Sequence, residues 1–323
     1  SADAAQDDAQ TDATAAQSAD TDGEAPTDAE DDFAALYGDT ADATAGNGST
    51  AAYDPWERYN RRVHSFNNAV DRGIARITIN REKAYNALNL ESARELYDIV
   101  NRCGSERAVR AVVISGAGNK AFCADGDVAS FARDPETVDH LIKEITGYLH
   151  LAVSRLAWMD APVIAAINGV AAGAGLSLAC ACDLAVAAEH ATFTSAYTQI
   201  GLAPDGSATY FVPRLIGQRR AMELFLTNRV LNAGEALEWG MINRVVPQAE
   251  LAATVDALAE KLAKGPTRSH GGVKKLLLMS ANDTLESQME RETRQIAELS
   301  RTADGIEGVR AFVDKRKANF TGA

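Results

Sequence analysis

Between Ile167 and Asp183 the chain reads INGVAAGAGLSLACACD, an apolar run, three glycines interleaved with alanines, and a second apolar run. Such a stretch must let a backbone come close to a neighbour or a ligand, because only small residues leave that room. Ahead of it APVIAA, Ala161–Ala166, reads as a short β-branched strand, and Leu176–Cys182 reads as a small-residue interior helix. A helix that starts from a glycine turn offers unsatisfied N–H groups to developing negative charge. A tight packing joint without chemistry uses the same residues, and a GxG turn alone is a weak signal.

Around this unit, strand and helix patterns alternate. Gly73–Asn80 (GIARITIN) alternates as a strand, and Asn89 leads into a helix over Leu90–Asn101. Ala108–Ser115 is a buried strand, followed by a loop over Gly116–Asp127 and a helix from near Val128. Beyond the glycine unit, strands are expected at Leu184–Ala187, Ala191–Thr194 and Arg244–Pro247, and helices at Arg219–Leu226 and Ala233–Trp239. The last part reads as amphipathic helices over Glu250–Lys264, Thr284–Ser300 and Ile306–Lys317. This order predicts an α/β core with a mostly parallel sheet and a helical C-terminal part.

Charge separates a tail from this body. Ser1–Ala52 holds 13 acidic residues and no Lys or Arg, which leaves 32 charges of each sign in the remainder. With few large apolar residues the tail cannot bury enough surface to offset its ordering entropy, so 1–52 is expected to be a disordered, solubilising acidic tail. A neutral body argues against a nucleic-acid partner. No run of about 18 apolar residues is present, so no transmembrane helix is expected. The opening SADAAQDDAQ lacks the basic and apolar regions of an intact signal peptide. Cys103, Cys123, Cys180 and Cys182 form no CxxC pair and read as reduced, buried thiols of a cytoplasmic protein. The histidines, His150 among them, show no ligand spacing, so no metal is expected.

Tyr53–Gly73 places Trp56, Tyr59, Val63, Phe66 and Val70 at near-helical spacing, which predicts an amphipathic helix from about Pro55. Its string DPWERYNRRVHSFNNAVDR resembles the start of the mature region of the MlaA (VacJ-like) outer-membrane lipoproteins. That resemblance covers about twenty residues and implies a fusion, with an envelope location as the alternative to a cytoplasmic one.

Four motifs then occur in order: NREKAYNALN (Asn80–Asn89), KAFCADGDV (Lys120–Val128), the glycine unit, and IGLAPDGSATYFVPRLIG (Ile200–Gly217). With them, Arg72–Gly322 resembles the crotonase (enoyl-CoA hydratase/isomerase) superfamily. The resemblance implies a ββα spiral over 72–260 and a helical trimerisation region over 261–323, with 53–71 as the MlaA-like segment. It also implies an acyl-CoA thioester substrate, no cofactor beyond the CoA of that substrate, and a homotrimer or hexamer. Two backbone N–H donors to the thioester oxygen carry over to Gly126 and Ala174. An enolate oxygen needs such donors, each worth about 3–4 kcal/mol. CoA contacts carry over to Lys83, Tyr85, Ala124, Asp127 and Val128, with Lys317 reaching a neighbouring subunit; the lysines read equally as solvated charges.

The departures choose among reactions. Ser177 and Tyr197 stand where hydratases of the family carry two glutamates, which disfavours hydration. Asp205 matches the catalytic aspartate of dienoyl-CoA isomerase-like members, and its APDG context is similar to the epoxyphenylacetyl-CoA isomerase (PaaG-like) branch. The resemblance therefore implies an isomerase with Asp205 as acid and base, while Ser177 and Tyr197 orient the acyl group. The plain alternatives are a helix cap for Asp205 and core packing for the other two. Asp125 stands where the family usually has glycine; pointed inward, its carboxylate would oppose the charge that the hole stabilises. An atypical hydratase and a non-catalytic scaffold fused to an envelope segment are the competing functions.

Overall fold

The computed structural model describes residues 66–323 apart from 133 and 135. The acidic tail and the MlaA-like stretch up to residue 65 lie outside the described residues. At its end, the helix expected over 53–73 is replaced by a strand. β1 (Phe66–Asp71) pairs antiparallel with β2 (Ile74–Ile79). Arg72 and Gly73, at φ 50° and 80°, form the two-residue turn between them, the left-handed pair that a tight hairpin requires. A short strand therefore precedes GIARITIN, where the sequence suggests a helix.

Asn89 caps the next element, α1 (Leu90–Ser105), through a reciprocal box with Ser92. The chain continues through β3 (Ala111–Gly116), β4 (Ala121–Ala124), α2 (Val128–Phe131), α3 (Val138–Trp158), β5 (Val163–Ile167), β6 (Val170–Ala172) and α4 (Ala174–Ala181). It goes on with β7 (Leu184–Ala188), β8 (Thr192–Thr194), α5 (Ala208–Ile216), α6 (Gln218–Thr227), β9 (Leu231–Asn232), α7 (Ala233–Glu238) and β10 (Arg244–Val246). It closes with α8 (Gln248–Ala263), α9 (Thr267–Ser280), α10 (Leu285–Leu299) and α11 (Ala303–Val313).

From β3 to β8 successive strands alternate between two sheets. The first has the order β1-β2-β3-β5-β7-β10, parallel from β2 onward, and the second has β4-β6-β8-β9. Each turn of the spiral thus adds one strand to each sheet before a helix returns, which is the ββα arrangement. β3 and β5 are continuous apolar runs because both of their faces are covered. Ala111, Val113, Ile164 and Val186 pack against Leu251, Val255 and Ala259 of α8. Their neighbours Val112, Ile114, Val163 and Ala165 face the main core, with Leu96 and Ile99 of α1 and Leu149 and Leu156 of α3.

The structure adds β4, inside the segment expected to be a loop, the short strands β6 and β9, and the helices α3 and α9. α9 is fastened from beneath by Lys274, whose buried ammonium donates to the Leu156 and Ala161 carbonyls and pairs with Asp183 at 2.8 Å. Among the described residues, no helix is long and apolar enough to cross a membrane.

Candidate active site

The second and third motifs meet where β4 and β6 run side by side. Leu88 of the first motif bridges to the loop after β4: its N–H donates to Asp125 O at 2.9 Å, and its carbonyl accepts from Asp127 N at 2.8 Å. Asn86, almost fully buried, donates to the Ala117 and Ala121 carbonyls and holds the entry to β4. Arg81 donates to the Ala87 carbonyl and pairs with Asp127 at 2.9 Å. These bonds explain why the first motif is rich in side-chain amides and turn residues: its task is to fasten the loop that carries Gly126.

The glycine unit supplies the other half. α4 starts at Gly173, at φ 49°, and a Cβ there would overlap the Asp125 carboxyl group. Two residues along, a Cβ on Gly175 would run into the Cys123 carbonyl, so α4 can lie against β4 only with glycine there. The consequence is a convergence of two donors. The Gly126 N–H and the Ala174 N–H both donate to one oxygen, Asp125 Oδ1, at 2.8 and 3.0 Å. That is the spacing of a hole for a carbonyl or enolate oxygen. Asp125 does point inward, and Oδ1 stands where such an oxygen would sit. Burial lifts its carboxyl to about 6, with Asp205 adding to the rise and the two N–H groups pulling it back.

Facing the hole, Asp205 sits in the turn before α5. Its carboxylate does not cap that helix: Ala208 N donates to the Asp205 backbone carbonyl, while Oδ1 accepts from the Tyr197 hydroxyl at 2.6 Å. Ser177 Oγ lies 3.1 Å from the same hydroxyl and 3.1 Å from Asp205 O. Ser177 and Tyr197 are both buried, so they combine packing with a polar chain, Ser177 to Tyr197 to Asp205. Burial raises the Tyr197 phenol well above its ordinary value, reinforced by Asp205 and Asp125, so it remains a neutral donor.

Asp125, Gly126, Ala174, Tyr197 and Asp205 line one cavity of about 150 Å³ whose other walls are apolar except for Thr146, among them Phe131, Ile142, Ile145, Leu149 and Leu202. Lys83, Tyr85, Ala124, Asp127 and Val128 are not among its walls, and the Asp127 carboxylate is engaged by Arg81. Lys317 lines a different pocket, with Arg72, Arg110 and Lys264. Cys123, next to the hole, is fully buried and its thiol is pushed far up, which removes thiolate chemistry from consideration.

The sequence reading missed α3 and with it most of the cavity wall. The apolar spacing Leu141, Ile145, Leu149, Ala152, Leu156 is the signal that identifies it. It also missed His150 on the same helix, whose Nε2 accepts from Gly206 N at 3.1 Å and so pins the residue after Asp205.

Residues 69–323 match the family model described as enoyl-CoA hydratase/isomerase. Over 254 residues the chain is 37% identical to the 1,2-epoxyphenylacetyl-CoA isomerase of Escherichia coli K12, covering 78% of this chain and 97% of that one. It is 36% identical over 253 residues to the crotonyl-CoA hydratase of Syntrophomonas wolfei, covering 76% and 94%. Its fold superposes on the crystal structure of an enoyl-CoA hydratase from Bacillus anthracis with a TM-score of 0.75 at 32% identity, covering 80% of this chain and 100% of the other.

Proposed function

The chain belongs to the enoyl-CoA hydratase/isomerase (crotonase) family, and we propose that within it the protein is an acyl-CoA isomerase using Asp205 as its acid and base. The observation that carries this reading is the pairing of Asp205 with Tyr197 inside the cavity that holds the two converging N–H donors. The positions of the two hydratase glutamates hold Ser177 and Tyr197 instead. Neither can remove a proton from water at neutral pH, whereas a single carboxylate suffices to move one between two carbons.

In the proposed reaction the thioester oxygen accepts from Gly126 N and Ala174 N. Asp205 removes a proton from C2 of a 3-enoyl-CoA, and the resulting dienolate carries its charge on that oxygen. The same carboxyl group then returns the proton at C4, which leaves a 2-enoyl-CoA. Tyr197 holds Oδ1, leaving Oδ2 to exchange the proton. The chemistry needs no separate cofactor, because CoA is part of the substrate. A cavity near 150 Å³ suits an acyl portion about the size of a benzene ring. Lys83, Tyr85, Ala124, Asp127 and Val128 are assigned to the CoA moiety, Asp127 through its backbone. Val273, Leu277, Ile296, Val309 and Phe312 leave apolar surface exposed on α9, α10 and α11, which supports a homotrimer or hexamer of the 34.3 kDa chain.

The test follows 3-hexenoyl-CoA in deuterated water by NMR. The parent protein is expected to shift the double bond and incorporate deuterium, and Asp205→Asn to lose both by about 100-fold or more. Migration unchanged in Asp205→Asn would remove Asp205 from the mechanism. A second reading, hydration, draws support from one observation: Asp125 and Asp205 both line the cavity, and water addition uses two carboxylates. It requires 3-hydroxyacyl-CoA to form from 2-hexenoyl-CoA, and that product to vanish in Asp125→Gly.

A further inference from the structure

The oxyanion hole is filled by the protein itself. Asp125 Oδ1 takes both N–H groups, and a second oxygen within hydrogen-bond reach of both would overlap it. The backbone gives Asp125 no means of retreat. Its N–H donates to Ala172 O at 2.9 Å, its carbonyl accepts from Leu88 N at 2.9 Å, and its φ of 68° is fixed between them. The side chain reaches the hole because Gly173 has no Cβ in its path.

We propose that the Asp125 carboxylate is an internal ligand of the oxyanion hole that acyl-CoA must displace, so that this side chain sets the affinity for thioesters. This rests on the acyl-CoA reading of the site. A carboxylate oxygen is a stronger acceptor than a neutral thioester oxygen, and it is delivered without loss of translational freedom. A ground-state carbonyl therefore competes poorly for the two N–H groups. An enolate oxygen carries charge of its own and competes on more even terms, so the hole opens to it, at a displacement cost that the transition state bears as well. The displaced side chain rotates into the cavity that Asp125 already lines, where Asp205 and Tyr197 are the titratable groups it meets. Burial has already raised its carboxyl, so it sheds charge readily when it loses its two donors.

The experiment compares two non-reacting probes by calorimetry, hexanoyl-CoA and its thioether S-hexyl-CoA, which lacks only the carbonyl oxygen. Asp125→Gly suits the positive φ and empties the hole, and Asp125→Asn keeps the shape without the charge. The expected result is that hexanoyl-CoA binds Asp125→Gly about tenfold or more tighter than the parent, the equivalent of removing one charge-assisted competitor. S-hexyl-CoA is expected to bind both alike, and Asp125→Asn to fall between parent and Gly variant for the thioester. Should the Gly variant fail to fold, a severalfold gain for thioester over thioether in Asp125→Asn carries the same conclusion. Equal or weaker thioester binding by folded variants overturns the proposal while leaving the acyl-CoA reading intact. Failure of every protein to bind either probe overturns that reading, and the proposal with it.

Discussion

Tyr197 donates its phenolic hydrogen to Asp205 Oδ1 at 2.6 Å, and the same hydroxyl lies 3.1 Å from Ser177 Oγ. Ser177 and Tyr197 thus both serve a third residue, eight positions beyond Tyr197 in the chain.

Tyr197→Phe keeps the buried ring and removes one donor. Asp205 then loses its orientation and Ser177 loses a partner, at a cost of about 1–3 kcal/mol for the groups left unpaired. The expected outcome is a fall in kcat for 3-hexenoyl-CoA isomerisation of about tenfold or more with KM little changed, because the lost contact orients the proton carrier rather than the acyl chain. A KM rise with kcat unchanged would assign Tyr197 to substrate packing instead.

His150 acts on the other side of the same turn. Its Nε2 accepts from Gly206 N, so that nitrogen carries no proton in this bond. His150→Leu leaves a backbone N–H unpaired beside Asp205 and frees the turn. We expect kcat to drop severalfold while His150→Gln, whose side-chain oxygen can accept the same hydrogen, recovers most of it. Equal losses in both variants would mean that the imidazole acts only by filling space.

What the chain disclosed before folding, and what it withheld, follows from range. Glycines at 173 and 175, the Asn89 cap and the continuous strands β3 and β5 are local signals, and each appears where its pattern lay. The family motifs extended that legibility to Gly126, Ala174 and Asp205, which the fold brings to one cavity. Three things were not legible. The helical spacing of Phe66 and Val70 competed with the Arg72 and Gly73 turn, and the hairpin prevailed because β2 offered a complete ladder of partners. The direction of the Asp125 side chain depends on the absence of a Cβ 48 residues away at Gly173, a long-range fact. The bond from Gly206 to His150 spans 56 positions and leaves no periodic trace.

The attachment of the C-terminal helices makes a prediction about stability. Lys274 is 8% exposed at its side chain, pairs with Asp183, and donates to two carbonyls in the α3 to β5 connection. Lys274→Met removes the buried cation and leaves those carbonyls and the part-exposed Asp183 carboxylate without it, at a cost of about 1–3 kcal/mol. A lowered urea midpoint is the expected outcome. Lys274→Met with Asp183→Asn should recover part of the loss, since the uncompensated charge is then gone. No change in midpoint would mean that the pair contributes nothing net.

Asp125 also makes stability depend on pH in an unusual direction. Its folded carboxyl titrates at about 6 against an ordinary 3.8, chiefly because burial disfavours the charge. Below the ordinary value the group is protonated in both states, and its contribution to stability is fully present. As pH rises from there through about 6, the unfolded chain ionises first, and the folded state loses that contribution. The loss is about 3 kcal/mol for a shift of this size. Carboxylates held by salt bridges, such as Glu307 with Arg316, give the opposite slope, so the parent's profile alone mixes both signs. The difference between Asp125→Asn and the parent isolates this group. Urea unfolding of both proteins at about pH 4 and pH 7.5 should show the Asn variant gaining roughly 2 kcal/mol relative to the parent at the higher pH, since part of the loss has already occurred at pH 4. A pH-independent difference would mean that the folded Asp125 carboxyl ionises in the ordinary range, and that the two N–H groups in the hole fully offset its burial.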